Sequence, residues 1–128
     1  MIYVDLLSIP FKKGGRDAAG MDCWGLCLEV ARRAGIDLPD YLSPDNPEEV
    51  GSLADAERAC YVRLNRPEPF CLVAFAGQGK YVDHLGMVLE DGRSFIHCSS
   101  TRGRVTIESL NHPVWSKILA GFYKHQKQ

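Results

Sequence analysis

The sequence has no excess of basic residues, no long apolar run and no paired cysteine motif. Each absence removes a class of function. Its 15 Lys and Arg against 16 Asp and Glu leave a net charge of −1, so nucleic acid is not expected as the main partner. No stretch approaches the roughly eighteen consecutive apolar residues of a spanning helix, and no membrane partner is expected. The first ten residues, Met1–Pro10, include Asp5 but no Lys or Arg. A secretory signal needs a basic start, so synthesis in the cytoplasm without a signal peptide is the expectation. The five cysteines, at 23, 27, 60, 71 and 98, are odd in number and include no Cys-x-x-Cys pair. A disulfide framework is therefore disfavoured and a reducing compartment expected. Internal repeats are absent, as are low-complexity segments beyond the short tail Lys124–Gln128.

What is present is a chain of 128 residues, 45% of them hydrophobic, enough for one domain over 1–128 with a core of its own. Its organising stretch is Met21–Gly35. Leu26, Cys27, Val30 and Ala34 recur at three- and four-residue steps, which predicts a helix over about 22–34 with one apolar face. Asp22 is placed to cap its start, Arg32 and Arg33 suit its negative end, and Gly35 follows as a terminator. Cys23 falls in the first turn, where unpaired N–H groups and the helix dipole favour thiolate. The expectation is a lowered thiol pKa and a candidate nucleophile.

The rest of the chain reads as follows. Ile2–Leu7 fits either an edge strand or a first helical turn, and Phe11–Gly20 is a glycine-rich loop. Ile36–Tyr41 is extended, Ser43–Pro47 a turn, and Pro47–Tyr61 a second helix started by Pro47, Glu48 and Glu49. Arg63–Pro69 is a loop. Phe70–Ala76 is a central strand, Gly77–Lys80 a turn, and Tyr81–Glu90 and Ser94–Ser99 a hairpin around Asp91-Gly92. Val105–Leu110 alternates as a strand. Asn111–Lys117 is a helical turn capped by Asn111, and Ile118–Lys124 a last strand. Helices followed by an antiparallel meander define an α+β fold, with the N-terminal helices packed on the sheet.

A thiolate nucleophile needs a base, and the base needs a group that holds its tautomer. A two-residue Asp91-Gly92 loop pairs Glu90 with Arg93, which sets Gly86 opposite His97 and Ser99 opposite His84. The two histidines then share a face as a diagonal pair, roughly 7–8 Å apart at the backbone. A three-residue loop would place them on opposite faces. With the Cys23 helix on the sheet, Cys23 is the candidate nucleophile, His84 the base and His97 the group that orients it. Backbone N–H groups at the helix start would meet the oxyanion.

These residues carry a family resemblance. Pro10-Phe11-Lys12-Lys13-Gly14-Gly15, Asp22-Cys23-Trp24-Gly25-Leu26, Gly35-Ile36-Asp37-Leu38-Pro39, Asp83-His84-Leu85-Gly86-Met87-Val88 and Phe95-Ile96-His97-Cys98-Ser99-Ser100 resemble, in order and over nearly the whole chain, the NlpC/P60 family of papain-like cysteine peptidases. The resemblance implies a Cys-His-His triad at Cys23, His84 and His97. It also implies hydrolysis of the amide between γ-D-glutamyl and a diamino acid in peptidoglycan stem peptides. Gly14-Gly15-Arg16-Asp17, Cys23-Trp24-Gly25-Leu26 and Leu38-Pro39-Asp40-Tyr41 are most similar to the phage-tail subset. That implies a tail component made in the cytoplasm, acting at the cell wall, with other tail proteins as partners. Trp24 stands where many members have Ser, Phe11 where they have Tyr, and Phe70-Cys71 where they have Gly-Asp. Phe11, Asp22 and Trp24 are the candidate substrate-binding residues.

Other readings share these residues. Cys23 can be a small buried hydrophobe, and His84 and His97 a strand-end residue and a core hydrogen-bonding residue. Cys27, Cys60, Cys71 and Cys98 read as packing residues, with Cys98 facing away from His97. A metal site from Cys23, Cys27, His84 and His97 has the wrong spacing for structural zinc, so neither metal nor cofactor is expected. Gly77–Lys80 lacks the spacing of a phosphate loop. Arg102 and Arg104 are solvated surface or contacts for a substrate carboxylate, and His112 and His125 have no role. At the level of the protein, a non-catalytic tail component and an amidase or acyltransferase on a small substrate are the alternatives.

Overall fold

The computed structural model describes residues 2–40, 61–77 and 82–125. After a single 3-10 turn (Val4–Leu6), a two-stranded hairpin of β1 (Arg16–Asp17) and β2 (Gly20–Met21) delivers the chain to α1 (Cys23–Arg33). The strands β3 (Tyr61–Leu64), β4 (Leu72–Phe75), β5 (His84–Val88), β6 (Ser94–Cys98) and β7 (Val105–Ser109) follow. A short helix α2 (Pro113–Ile118) then leads into β8 (Leu119–His125). Six strands form one sheet in the order β3-β8-β4-β5-β6-β7, every neighbour antiparallel.

Helix α1 forms as its sequence dictates. The Asp22 carboxylate accepts from the Gly25 N–H at 2.7 Å, satisfying one of the donors that a helix start leaves orphaned. Ala34 closes the other end, and Gly35 takes a left-handed φ of 81° that L side chains avoid. Arg33 reaches back to Asp5 and to the Ile2 carbonyl oxygen, fixing the N-terminal turn against the helix.

The sheet is covered on both faces. On one, Leu26, Cys27, Val30 and Ala31 of α1 pack against Leu72, Met87, Ile96 and Cys98. On the other, Trp115 of α2 packs against Val73, Phe75, Val88 and Phe95. Strand alternation assigns Leu85 and Met87 to the α1 face and His84, Gly86 and Val88 to the Trp115 face. Burying side chains of this size contributes about 1.5–3 kcal/mol each.

Several expected boundaries are corrected. Residues 11–20 hold a short hairpin as well as a loop. The central strand starts at Leu72, not Phe70, because Phe70 has a left-handed φ of 60° and the Cys71 N–H turns back to the Glu68 carbonyl oxygen. Tyr61–Leu64, divided between helix and loop in the sequence reading, is an edge strand paired with β8. The meander stops at β7, because β8 returns across the sheet to lie between β3 and β4. Helix α2 is capped by His112, whose Nδ1 accepts from the Val114 N–H at 3.1 Å, and not by Asn111. His125 is buried in β8, edge-on to Tyr61, and not in a free tail. The remainder of the predicted second helix (47–60), the turn at 43–47 and residues 78–81 lie outside the described residues.

Candidate active site

Strands β5 and β6 pair Met87 with Ile96 and Val88 with Phe95, the register that pairing Glu90 with Arg93 demands. The connection is wider than two residues. The Leu89 N–H meets the Ser94 carbonyl oxygen at 2.9 Å, and the Asp91 carboxylate accepts from the Arg93 and Ser94 N–H groups. Because the register holds, His84 and His97 share a face, and His84 Nε2 lies 2.7 Å from His97 Nδ1. Both rings pack on Trp115, at 5.7 and 4.7 Å between centroids, and His84 stacks on Phe75. His97 is fully buried, whereas His84 retains an accessible side.

The Cys23 sulfur meets the strand that carries His84 at the Leu85 N–H. The Leu89 N–H points to β6, so by alternation that of Leu85 does too. The β5–β6 pairing ends at Met87 and Ile96, and the Leu85 N–H faces the Cys23 sulfur instead. The thiol is half-buried and sits one residue along the backbone from His84. The hydrogen bonds that order the two imidazoles run between the rings and on to Glu108, and none reaches Cys23.

The electrostatics correct one expectation. Burial pushes the Cys23 thiol up to about 11, against the pull of the Leu85 and Trp24 N–H groups. Burial, with the neighbouring His97, pushes His84 down to about 3, and burial lowers His97 as well. Desolvation therefore outweighs the helix dipole, which offers about 0.3–1 kcal/mol at ordinary sites. The resting site pairs a neutral thiol with neutral imidazoles.

One residue was not anticipated. Glu108 on β7 receives His97 Nε2 at 2.5 Å. It stands opposite Phe95 in the ladder, so it reaches His97, opposite Thr106, along a diagonal. Arg102 grips the same carboxylate at 2.7 and 3.2 Å and lies 5.7 Å from the Trp115 ring. Arg102 is therefore part of the site's framework. Burial acts to raise the Glu108 pKa, but hydrogen bonds from Arg102, Trp115 and His97 overcome it and hold the carboxyl at about 2. The Trp115 indole N–H is outside normal hydrogen-bond geometry, so its share is that of an oriented dipole. The signal for Glu108 was available: alternation along Val105–Leu110 puts an acid on the histidine face.

Asp22 is 4% exposed, with one oxygen taken by Gly25 and by Arg16 Nη1 at 2.6 Å, while its other oxygen is buried with no partner. The Trp24 side chain is buried, its N–H donating to the Pro39 carbonyl oxygen. Phe11 is half-buried against the α1 core and bridges to Met21. Cys27, Cys71 and Cys98 are buried, with the Cys98 thiol on the Met21 carbonyl oxygen. Among the described residues no group of three or more His, Cys, Asp or Glu is arranged to hold a metal ion.

An antiparallel sheet flanked by helices defines the class, a mixed helix-and-sheet domain, in which a half-buried cysteine at a helix start and a hydrogen-bonded imidazole pair make up the candidate site. The NlpC/P60 family matches residues 8–124, and the chain belongs to that family. Solved structures agree on the fold. A lipoprotein-like NLP/P60 protein of Staphylococcus aureus is 23% identical with a TM-score of 0.67, over 95% of this chain and 38% of that one. An NlpC/P60 family protein of Bacillus cereus is 22% identical with a TM-score of 0.70, over 94% of this chain and 36% of that one. The peptidoglycan hydrolase RipB of Mycobacterium tuberculosis is 18% identical with a TM-score of 0.63, over 97% and 60%. This chain thus spans well under half the length of the first two. No curated protein matches it.

Proposed function

We propose that this domain is a cysteine endopeptidase that hydrolyses bacterial peptidoglycan stem peptides between γ-D-glutamyl and a diamino acid, as a component of a phage or prophage tail. The observation that carries the reading is the hydrogen-bonded His84–His97 pair, one residue from the peptide N–H that meets the Cys23 sulfur. Membership of the NlpC/P60 family and likeness in fold to a peptidoglycan hydrolase support it. Synthesis in the cytoplasm and carriage to the wall by the particle complete the proposal.

In this mechanism the Cys23 sulfur attacks the amide carbonyl carbon as its proton passes to His84. With a neutral thiol and a neutral imidazole at rest, the transfer accompanies the attack. Backbone N–H groups at the start of α1 meet the oxyanion. Collapse expels the diamino-acid amine, which takes the proton from His84. Water, giving a proton to His84, then cleaves the thioester, releasing the γ-D-glutamyl carboxylate and restoring the thiol. Asp22 and Trp24, which flank Cys23 in the chain, and Phe11 are assigned to the walls of the substrate subsites.

The test is product analysis on purified wall fragments. Cleavage frees an amine on the diamino acid, and Cys23→Ala abolishes it. The raised Cys23 thiol favours one second reading, a non-catalytic tail component that keeps the fold for assembly. If particles carrying Cys23→Ala infect normally while deletion of the domain blocks assembly, that second reading replaces the first.

A further inference from the structure

The third strand beside the histidine pair, β7, carries a carboxylate bonded to His97. We propose that Glu108, gripped by Arg102, is a positioning residue that sets the tautomer of both imidazoles. The inference rests on the peptidase reading for its catalytic meaning, but its geometric part stands alone.

An ionised carboxylate can only accept, and Arg102 holds Glu108 ionised by donating to both of its oxygens. His97 Nε2, 2.5 Å from Glu108 Oε2, must therefore carry the proton. His97 is fully buried and burial disfavours its charged form, so its Nδ1 is bare. At 2.7 Å from that bare nitrogen, His84 Nε2 must be the donor. One nitrogen of the pair is then left without a proton: His84 Nδ1, the atom a base needs. Remove the carboxylate and nothing distinguishes this arrangement from its reverse. In the reverse, His97 Nδ1 donates to His84 Nε2, the His84 proton moves to Nδ1, and the base is lost. The Glu108 carboxylate is engaged by His97, Arg102 and Thr106. It acts through His97, two hydrogen bonds from the ring that works.

The site is built for this task. Diagonal placement repeats across the two strand pairs, with His84 reaching His97 and His97 reaching Glu108. Thr106 Oγ1 adds a longer contact at 3.4 Å to the same carboxylate oxygen. Trp115 walls both rings and sits under the Arg102 guanidinium. These are the groups that face the carboxylate, and His97, Arg102 and Thr106 all donate to it.

The experiment is nitrogen NMR of the histidine rings at neutral pH in the wild-type chain, Glu108→Gln and Glu108→Ala, with thermal unfolding to identify variants that fold. The Gln variant matches Glu in size and guards against collapse of the Ala variant. In the wild type, protons are expected at Nε2 of both His84 and His97, with both Nδ1 atoms bare. In a folded variant, each ring is expected to show a mixture of tautomers or the reverse pattern. The kcat for stem-peptide cleavage should fall on the order of 10²-fold with KM little changed. An unchanged proton pattern in a folded variant overturns the proposal, even if activity is lost, and so does a wild-type pattern with the His97 proton on Nδ1. The nitrogen spectra need no substrate, so failure of the peptidase reading would show separately, as a wild-type chain that cleaves nothing.

Discussion

His84 Nε2 and His97 Nδ1 are 2.7 Å apart although their residues do not face each other across the ladder: the β5–β6 register brings Gly86, not His84, into line with His97. A diagonal contact of this kind exists in only one register, since a slip of one residue sends one ring to the α1 face. His97→Leu keeps a buried side chain of similar bulk but removes the acceptor that orients His84. The expected result is a loss on the order of 10²-fold or more in kcat/KM on stem peptides, with the protein still folded by circular dichroism. Retained activity would show that His84 is oriented by something else.

The thiol offers a second prediction. Burial holds Cys23 up at about 11 and His84 down at about 3, so the two do not form a resting ion pair. The rate of Cys23 alkylation by iodoacetamide, mapped by mass spectrometry, is expected to rise with pH well beyond the ordinary thiol range near 8.5. An inflection below that value would establish a thiolate–imidazolium pair at rest.

Acid stability follows from the same groups. His84 is lowered from 6.5 to about 3, so between those values the unfolded chain binds a proton that the folded chain refuses. Glu108 is lowered from 4.5 to about 2, with the same sense in its own window. Both contributions are in full force above the unfolded pKa and are lost as pH falls through the folded one. Glu108, whose side chain is 13% exposed, contributes about 3 kcal/mol on this reckoning. Urea unfolding midpoints are expected to fall steadily from pH 6.5 to pH 3, and Glu108→Gln should flatten the lower part of that slope. A flat profile in the wild type would contradict the burial argument for both groups.

Local chemistry made much of this legible. The cap at Asp22, the terminator at Gly35 and the histidine register all follow from short-range rules, and each is present in the fold. What escaped depended on tertiary partners. Tyr61–Leu64 became a strand because β8 crosses back to pair with it, a long-range event that no local pattern announces. Phe70 interrupts its strand with a left-handed backbone held by a 2.7 Å bond from its N–H to the Val88 carbonyl oxygen. The Cys23 thiol departs from expectation because the dipole is visible in sequence, whereas the desolvation that outweighs it comes from packing. Glu108 was readable by alternation, but its meaning required Arg102 and His97 around it.

The close packing behind Cys23 yields the last prediction. Gly25 lies in the first turns of α1, where helix propensity alone favours Ala over Gly by about 1 kcal/mol. A Cβ there would sit 2.3 Å from the Gly15 carbonyl oxygen and 3.2 Å from both Arg16 Nη1 and Asp22 Oδ1. The first of these is a backbone atom whose own residue is confined, since a Cβ on Gly15 would in turn meet the Gly20 carbonyl oxygen at 2.3 Å. The loop cannot retreat, so α1 must shift and carry its capping bond with it. Overpacking of this kind costs about 1–3 kcal/mol, and loss of the Asp22 cap adds about 1 kcal/mol. Contact therefore beats propensity, and Gly25→Ala is expected to lower the thermal midpoint by several degrees and to displace Cys23 from the Leu85 N–H. Calorimetry decides the sign: a raised midpoint would mean that the glycine loop yields and that the close approach of Gly15 to α1 is not what fixes Cys23.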